Sequence, residues 1–300
     1  MRYLYFPGCS LRSTGRAYEE SFVAVMKALE VEVRELDDWN CCGATAYMAI
    51  DQSQAFALAA RNLSLAEAQQ NNVAAPQLIA PCSACYLVLS KTQHYLNEYS
   101  EMGDLVRKGL RVAGLNYDGR VVVRHPLDVL LNDVGIEAIK ACVARPLENL
   151  IVACYYGCQV VRPYANFDDR HDPVSMDRLL AAVGAKTIDW PLKTRCCGGS
   201  LTGTIPEVGY RLNHIILREA QKRGAHVVAT ACPLCQFNLE CLQDKMNVRF
   251  DEHVDMPTAY FTQLIGLALG LPGDVLGLKR LFVPLRLNAH AAEEAIDARN

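Results

Sequence analysis

Two short segments carry adjacent thiols: Cys41-Cys42-Gly43 and, about 150 residues later, Cys196-Cys197-Gly198. Each lies between a lone cysteine and a CxxC pair. The first set is Cys9, Cys41-Cys42 and Cys82-Ser-Ala-Cys85; the second is Cys158, Cys196-Cys197 and Cys232-Pro-Leu-Cys235. Gaps of 31 and 39 residues in the first set match gaps of 37 and 34 in the second. The flanks agree as well: YFPGCSLRS aligns with CYYGCQVVRP, and LIAPCSAC with VVATACPLC. Ten of the 13 cysteines fall into this scheme, which marks the chain as an internal repeat.

Four kinds of chemistry use clustered cysteines. Adjacent residues have Cα atoms only ~3.8 Å apart, so a Cys41-Cys42 disulfide would be strained. Zinc takes four ligands, commonly from two CxxC-like knuckles, and five thiols per half exceed that. Thioredoxin-like exchange needs a CxxC between strand and helix, which is present twice, but leaves the Cys-Cys-Gly and the lone cysteine without a part. Iron–sulfur ligation uses soft thiolates and accommodates all five. Side chains of consecutive extended residues point apart, so a ligating Cys-Cys pair must sit on a bend, which the following glycine permits.

The elements that must position these cysteines also repeat. RYLYF and NLIVAC are short apolar runs ending at Gly-Cys, as buried strands entering tight loops do. Residues 18–29 and 175–183 have helical spacing, with Phe22, Val25, Met26 and Leu29 on one face. Strands VEVREL and AKTIDW precede the Cys-Cys-Gly turns, and long helices over 52–70 and 206–223 follow them, the latter closing at Gly224. Strands QLIA and HVVATA run into the CxxC motifs, and YLVLSKTQHYLNEY and FNLECLQDKM continue as helix. A further strand, GRVVVRH, completes the first half. Strand–helix alternation predicts parallel βαβ units. The fold expected is α/β, with two Rossmann-like domains over 1–145 and 146–300, each cysteine motif at a strand's carboxyl end, and a C-terminal helix and tail after Asp255.

Composition sets the boundaries. Of 300 residues, 51% are hydrophobic and 21% charged, with a net charge of -3. There is no basic excess to suggest nucleic acid. No run reaches ~18 apolar residues, which argues against a membrane span. The N-terminus lacks the features of a secretory signal, so a cytoplasmic, reducing setting is expected, where clustered cysteines mean metal or redox chemistry.

The duplicated pattern resembles the paired cysteine-rich CCG domains of the B-type subunit of heterodisulfide reductase. The resemblance spans nearly the whole chain and includes YFPGC, RHPLDVL, YGCQVVRP, ACPLCQFNL and TQLIGLALG. It implies two non-cubane [4Fe-4S] clusters, one per domain, facing each other across a pseudo-twofold axis. It further implies a disulfide substrate cleaved between them. The implied partners are a small iron–sulfur protein of the family's C type, which donates electrons, and a flavin-bearing protein of its A type. On that pattern Cys9, Cys41, Cys42, Cys82 and Cys85 hold one cluster, and Cys158, Cys196, Cys197, Cys232 and Cys235 the other. Cys154 stands four residues before Cys158 and is a rival ligand; YYGC matches FPGC and favours Cys158. Cys142, Cys154 and Cys241 then read as buried small hydrophobes.

Other residues near the motifs are weaker candidates. Arg12, Arg16, Arg162, Lys193 and Arg195 could receive an anionic thiol substrate. His125 could supply protons to leaving thiolates, a structural role being the alternative. Thr45, Thr202 and Thr204 could donate to cluster sulfurs, and Tyr5, Phe6, Tyr155 and Tyr156 would limit solvent. Competing functions are a non-catalytic electron relay, like the CCG proteins of glycolate, lactate or succinate dehydrogenases, and a zinc-stabilised scaffold.

Overall fold

The computed structural model describes residues 1–44 and 46–286. The first half runs β1 (Arg2–Tyr5), α1 (Gly8–Leu11), α2 (Arg16–Ala28), β2 (Glu32–Glu35), α3 (Ala46–Ile50), α4 (Gln52–Gln69), β3 (Gln77–Ile79), α5 (Ser83–Glu98), α6 (Ser100–Val112), β4 (Val122–Arg124) and α7 (Pro126–Asp128). A π-turn over Val129–Val134 leads to α8 (Ile136–Ala141). The second half runs β5 (Ile151–Tyr155), α9 (Ser175–Ala182), β6 (Lys186–Thr187), α10 (Leu201–Thr204), α11 (Pro206–Lys222), β7 (Val227–Thr230), α12 (Pro233–Glu240), α13 (Gln243–Phe250), β8 (Thr258–Tyr260) and α14 (Phe261–Ala268).

Two four-stranded sheets form, in the orders β2-β1-β3-β4 and β6-β5-β7-β8, with every pairing parallel. The central strands are apolar because helices cover both faces; β7 is buried throughout. In each sheet the order reverses between the first and third strands of that half, which opens a crevice at their carboxyl ends. Local signals place the helices. Asp51 caps α4 by accepting from the Ser53 and Gln54 N–H groups at 3.0 and 3.2 Å. Pro206 starts α11, and Gly224, at φ +77°, follows its end.

Two expectations are corrected. FNLECLQDKM is not one helix but breaks at Cys241-Leu242 into α12 and α13. The Gln243 amide takes over backbone groups there, donating to Leu239 O and Met256 O at 2.8 and 2.7 Å and accepting from Met256 N at 2.9 Å. The segment after Asp255 is not only helix and tail: β8 completes the second sheet as β4 completes the first.

The halves exchange their last helices. α14 packs on α2, where Ser21 and Thr262 hydroxyls bond at 2.7 Å, while α7 and α8 pack on α9. The N–H groups of Ala144 and Arg145 both donate to Ala268 O at 2.9 Å. One hydrophobic core therefore crosses both halves, with a smaller one beneath the second sheet. Among the described residues no helix is long and apolar enough to cross a membrane.

Glu240 is buried at 2% exposure, receiving the Val283 N–H at 3.2 Å and the Gln236 amide. Burial pushes its carboxyl from 4.5 up to about 8. The unfolded chain releases this proton near 4.5 and the folded chain holds it to about 8, so stability falls as pH rises through that window. Glu240→Gln should match the wild type below pH 4.5 and exceed it at pH 8 by on the order of 3 kcal/mol in urea denaturation. A gap that does not grow with pH would remove this role.

Candidate metal centre

Each cysteine set assembles at one sheet's carboxyl edge. Cys9 opens α1 beyond β1, Cys41 and Cys42 follow β2, and Cys82 is the N-cap of α5 beyond β3. The second half repeats this with Cys158, Cys196-Cys197 and Cys232. All 13 cysteines are free. Cys42 Sγ lies 3.3 Å from Cys85 Sγ and Cys197 Sγ lies 3.4 Å from Cys235 Sγ, too far for a disulfide bond. Cys41 and Cys82 act on the first pair and Cys232 on the second, shifting the thiol acidities, as Cys158 does on Cys196. Cys82 and Cys232 shift each other's acidity, so the two sets meet across the halves. Ser83 Oγ donates to Ala231 O at 3.1 Å beside this junction.

The two sets are buried where they meet and open at their outer edges. Cys82 and Cys232 are both 3% exposed, whereas Cys9, Cys41 and Cys196 are exposed and Cys158 is half-buried. Shared protons split the thiol acidities. The neighbouring thiols of Cys41 and then Cys85 hold Cys42 well below the ordinary thiol range. Cys196 falls to about 6, chiefly through Cys158, with the Arg162 guanidinium adding to the effect.

Close backbone approach makes the packing possible. Gly8 and Gly157 adopt φ +63° and +70°, and a Cβ on either would stand 3.0 Å from Cys85 Sγ or 3.1 Å from Cys235 Sγ. Phe6 and Tyr155 occupy matching places under these glycines, both fully buried. Cys154 is the counterpart of Tyr5 and faces Asp177 and Lys193 rather than the sulfurs, so Cys158 is the cysteine that joins the set. Cys142 is exposed and Cys241 half-buried, so only Cys154 matches the expectation of a buried small hydrophobe.

The structure separates the other candidates. Arg12 is tied to Glu19 at 3.1 Å and to Glu35, and Arg16 to Glu20 at 3.2 Å. Lys193 does not face a substrate: it is buried and bonded to Asp172, Asp177 and Pro173 O, because its backbone carbonyl must hold the Tyr156 and Gly157 N–H groups. Arg162 donates to Thr194 O and its charge acts on Cys196, and Arg195 is exposed, its carbonyl accepting the Tyr155 hydroxyl at 2.5 Å. His125 is wholly buried; Nε2 donates to Pro81 O at 3.1 Å and Nδ1 accepts the Leu127 N–H at 3.3 Å, so both ring nitrogens are engaged in fixing the β4–α7 turn. Burial lowers it to about 4. Thr202 bonds Asn238 and Thr204 bonds Ser200 O, neither reaching a sulfur; Thr45 lies outside the described residues.

Three asparagines were missed. Asn62 on α4 donates to Asn40 O at 3.0 Å, and Asn213 on α11 donates to Cys197 O at 2.9 Å, each clamping a Cys-Cys turn. Asn238 donates to Cys197 Sγ at 3.5 Å. The repeat carried part of the signal for the first two, since both stand on the long helix after a Cys-Cys-Gly turn, Asn62 one helical turn farther along than Asn213.

Among the described residues, no three His, Cys, Asp or Glu side chains converge as one metal ion would require. The cysteines instead offer soft sulfurs from three neighbouring loops of each rim, with glycine backbone against Cys85 and Cys235. That suits a polynuclear iron–sulfur group better than a closed zinc tetrahedron.

A cysteine-rich domain family, CCG, matches residues 3–90 and 152–240. The chain therefore belongs to the family of duplicated cysteine-rich CCG proteins that includes the B-type subunit of heterodisulfide reductase. It is 30% identical over 281 residues to the B-type subunit of the ferredoxin:CoB-CoM heterodisulfide reductase of Methanosarcina mazei, covering 92% of this chain and 91% of that one. It is 32% identical over 278 residues to the 8-methylmenaquinol:fumarate reductase membrane anchor subunit of Wolinella succinogenes, covering 92% and 95%. A crystal structure of a hypothetical protein from Helicobacter pylori shares the fold, with TM-score 0.75 and 15% identity over 96% of this chain; the chain spans about half that protein's length, 53%.

Gly8→Ala and Gly157→Ala should each lose about 1–2 kcal/mol in urea denaturation from left-handed backbone strain, plus the cost of displacing a sulfur. Gly114→Ala, at φ +73° with open space around it, supplies the strain alone. Equal losses in all three would show that the sulfur contact carries no weight.

Proposed function

We propose that the chain is the iron–sulfur catalytic subunit of a heterodisulfide reductase-like complex, acting on a disulfide or, in reverse, on thiols. The observation that carries this reading is the meeting of two equivalent five-cysteine sets at Cys82 and Cys232. Cys9, Cys41, Cys42, Cys82 and Cys85 would hold one non-cubane [4Fe-4S] cluster, and Cys158, Cys196, Cys197, Cys232 and Cys235 a second. Bound there, such groups supply one-electron storage and iron sites with affinity for sulfur.

The balance is simple: one S–S bond breaks, two electrons and two protons enter, and two thiols leave. Two adjacent one-electron sites match that two-electron couple. The electrons would come from a C-type iron–sulfur partner and ultimately from an A-type flavin-bearing protein. The chain's own residues divide the work. Exposed Cys9, Cys41 and Cys196 mark the edge where substrate arrives, and Arg162, with Arg195, offers positive charge to an anionic thiol. Phe6, Tyr155 and the buried CxxC cysteines keep water from the middle. Thirteen free thiols fit a reducing cytoplasm.

A second reading rests on the fumarate reductase relative at 32% identity. It makes the chain a relay that passes electrons between a quinol-linked partner and a flavoprotein, with no disulfide chemistry of its own.

Anaerobic purification should give about eight irons per chain. Cys41→Ala and Cys196→Ala should each lose about half of that iron. The loaded protein should oxidise reduced viologen with small disulfides. Full iron with no turnover on any disulfide would favour the relay, and zinc in place of iron would end both readings.

A further inference from the structure

The two sites are alike in cysteines but not in what surrounds them. Asn238 donates to Cys197 Sγ at 3.5 Å and is held by Thr202 at 2.9 Å. Three residues after the CxxC of the first half stands Val88, which can donate nothing. Tyr260 pairs in register with Thr230, two residues before Cys232, and is the N-cap of α14; the matching residue of the first half is His125, the N-cap of α7, whose ring nitrogens are both engaged, by Pro81 O and the Leu127 N–H. Tyr18 lies one turn after Gly15, whose Cβ position is 2.8 Å from Pro233, next to Cys232. Tyr18 and Tyr260 stack at 4.5 Å and 6°, fully buried, and among the described residues neither hydroxyl has a partner. Gln263 accepts the Tyr260 N–H at 2.9 Å, but the hydroxyl, a ring's length away from the helix start, finds nothing. Two orphaned donors thus sit at the sulfur junction, where Cys232 and Cys82 are the groups that act on them.

Charge differs in the same sense. Arg162 stands by Cys196, whereas Arg12, near Cys9, is neutralised by Glu19 and Glu35. Hydrogen bonds to sulfur and positive charge favour a cluster's more negative, reduced state, and so raise its potential. Solvent at Cys9 works the other way, but on one sulfur, against the Asn238 donor at Cys197, the Arg162 charge by Cys196 and the two unpartnered hydroxyls at the junction.

We propose that the two sites are unequal, the one held by Cys158, Cys196, Cys197, Cys232 and Cys235 having the higher reduction potential, so that electrons entering the chain collect there. Asn238, Tyr18 and Tyr260 are its positioning residues. This rests on the iron–sulfur reading; a protein purified without iron would sink that reading, whereas iron-loaded protein tests this inference alone.

The experiment is a potentiometric titration followed by electron paramagnetic resonance on the full chain. Cys41→Ala, keeping the second site, should titrate at a higher potential than Cys196→Ala, keeping the first. In the Cys41→Ala background, Tyr260→Phe, Tyr18→Phe and Asn238→Val should each disfavour the reduced state about tenfold, a fall of about 59 mV for one electron. Val88→Asn in the Cys196→Ala background should raise the first site. Asn238 also holds the Gly199 carbonyl, so should Asn238→Val lose its iron, the two Phe variants decide. Equal potentials, the reverse order, or Phe variants that retain iron with an unmoved midpoint would overturn the proposal.

Discussion

Cys82 and Cys232 meet in the interior, and sulfurs that close cannot both carry charge without help. Like charges in a low-dielectric setting repel, and an isolated thiolate there reverts to the thiol. Cys42 and Cys232 are held low by neighbouring thiols and backbone N–H groups, and Cys197 takes the Asn238 amide. A group that binds here must take over that role by neutralising several thiolates together. The helices that seal the junction, α2 and α14, are therefore as necessary to the chemistry as the ligand loops. They exclude the water that would otherwise solvate the charge.

Parallel sheets explain why so few residues are needed to bring ten distant cysteines together. Strand carboxyl ends are a shared rim, so any loop leaving them delivers its side chains to one place. The lone cysteine, the Cys-Cys turn and the CxxC occupy three loops of one rim in each half. The constraint then falls on backbone geometry, and glycine answers it at Gly8 and Gly157, where any side chain would collide with a CxxC sulfur.

Much of this was legible before any coordinates. Apolar runs ending at Gly-Cys marked the first strand of each half, and the repeat aligned Phe6 with Tyr155 and Cys158 with Cys9. β8 escaped because Thr258-Ala259-Tyr260 is too short to show a period, though the repeat placed it opposite β4. The broken α12–α13 helix escaped because Gln243 is a good helix former whose amide is claimed by Met256 from a distant loop. Lys193 departs from expectation for a similar reason. Its partners, Asp172 and Asp177, lie about 20 residues back, and proximity to a cysteine in sequence says nothing about which way a long side chain turns.

The exchanged helices bear on how such a molecule can evolve. Had the two halves been separate copies of one polypeptide, their contact would have been isologous, and every change near one cluster would have appeared at the other. Fusion into a single chain keeps the self-complementary contact of α14 on α2 and α8 on α9 but breaks the identity of the twins. Val88 and Asn238, or His125 and Tyr260, differ only because each position answers to its own codon. Tandem joining of the halves is thus what lets two sites alike in their cysteines differ in the residues that surround them.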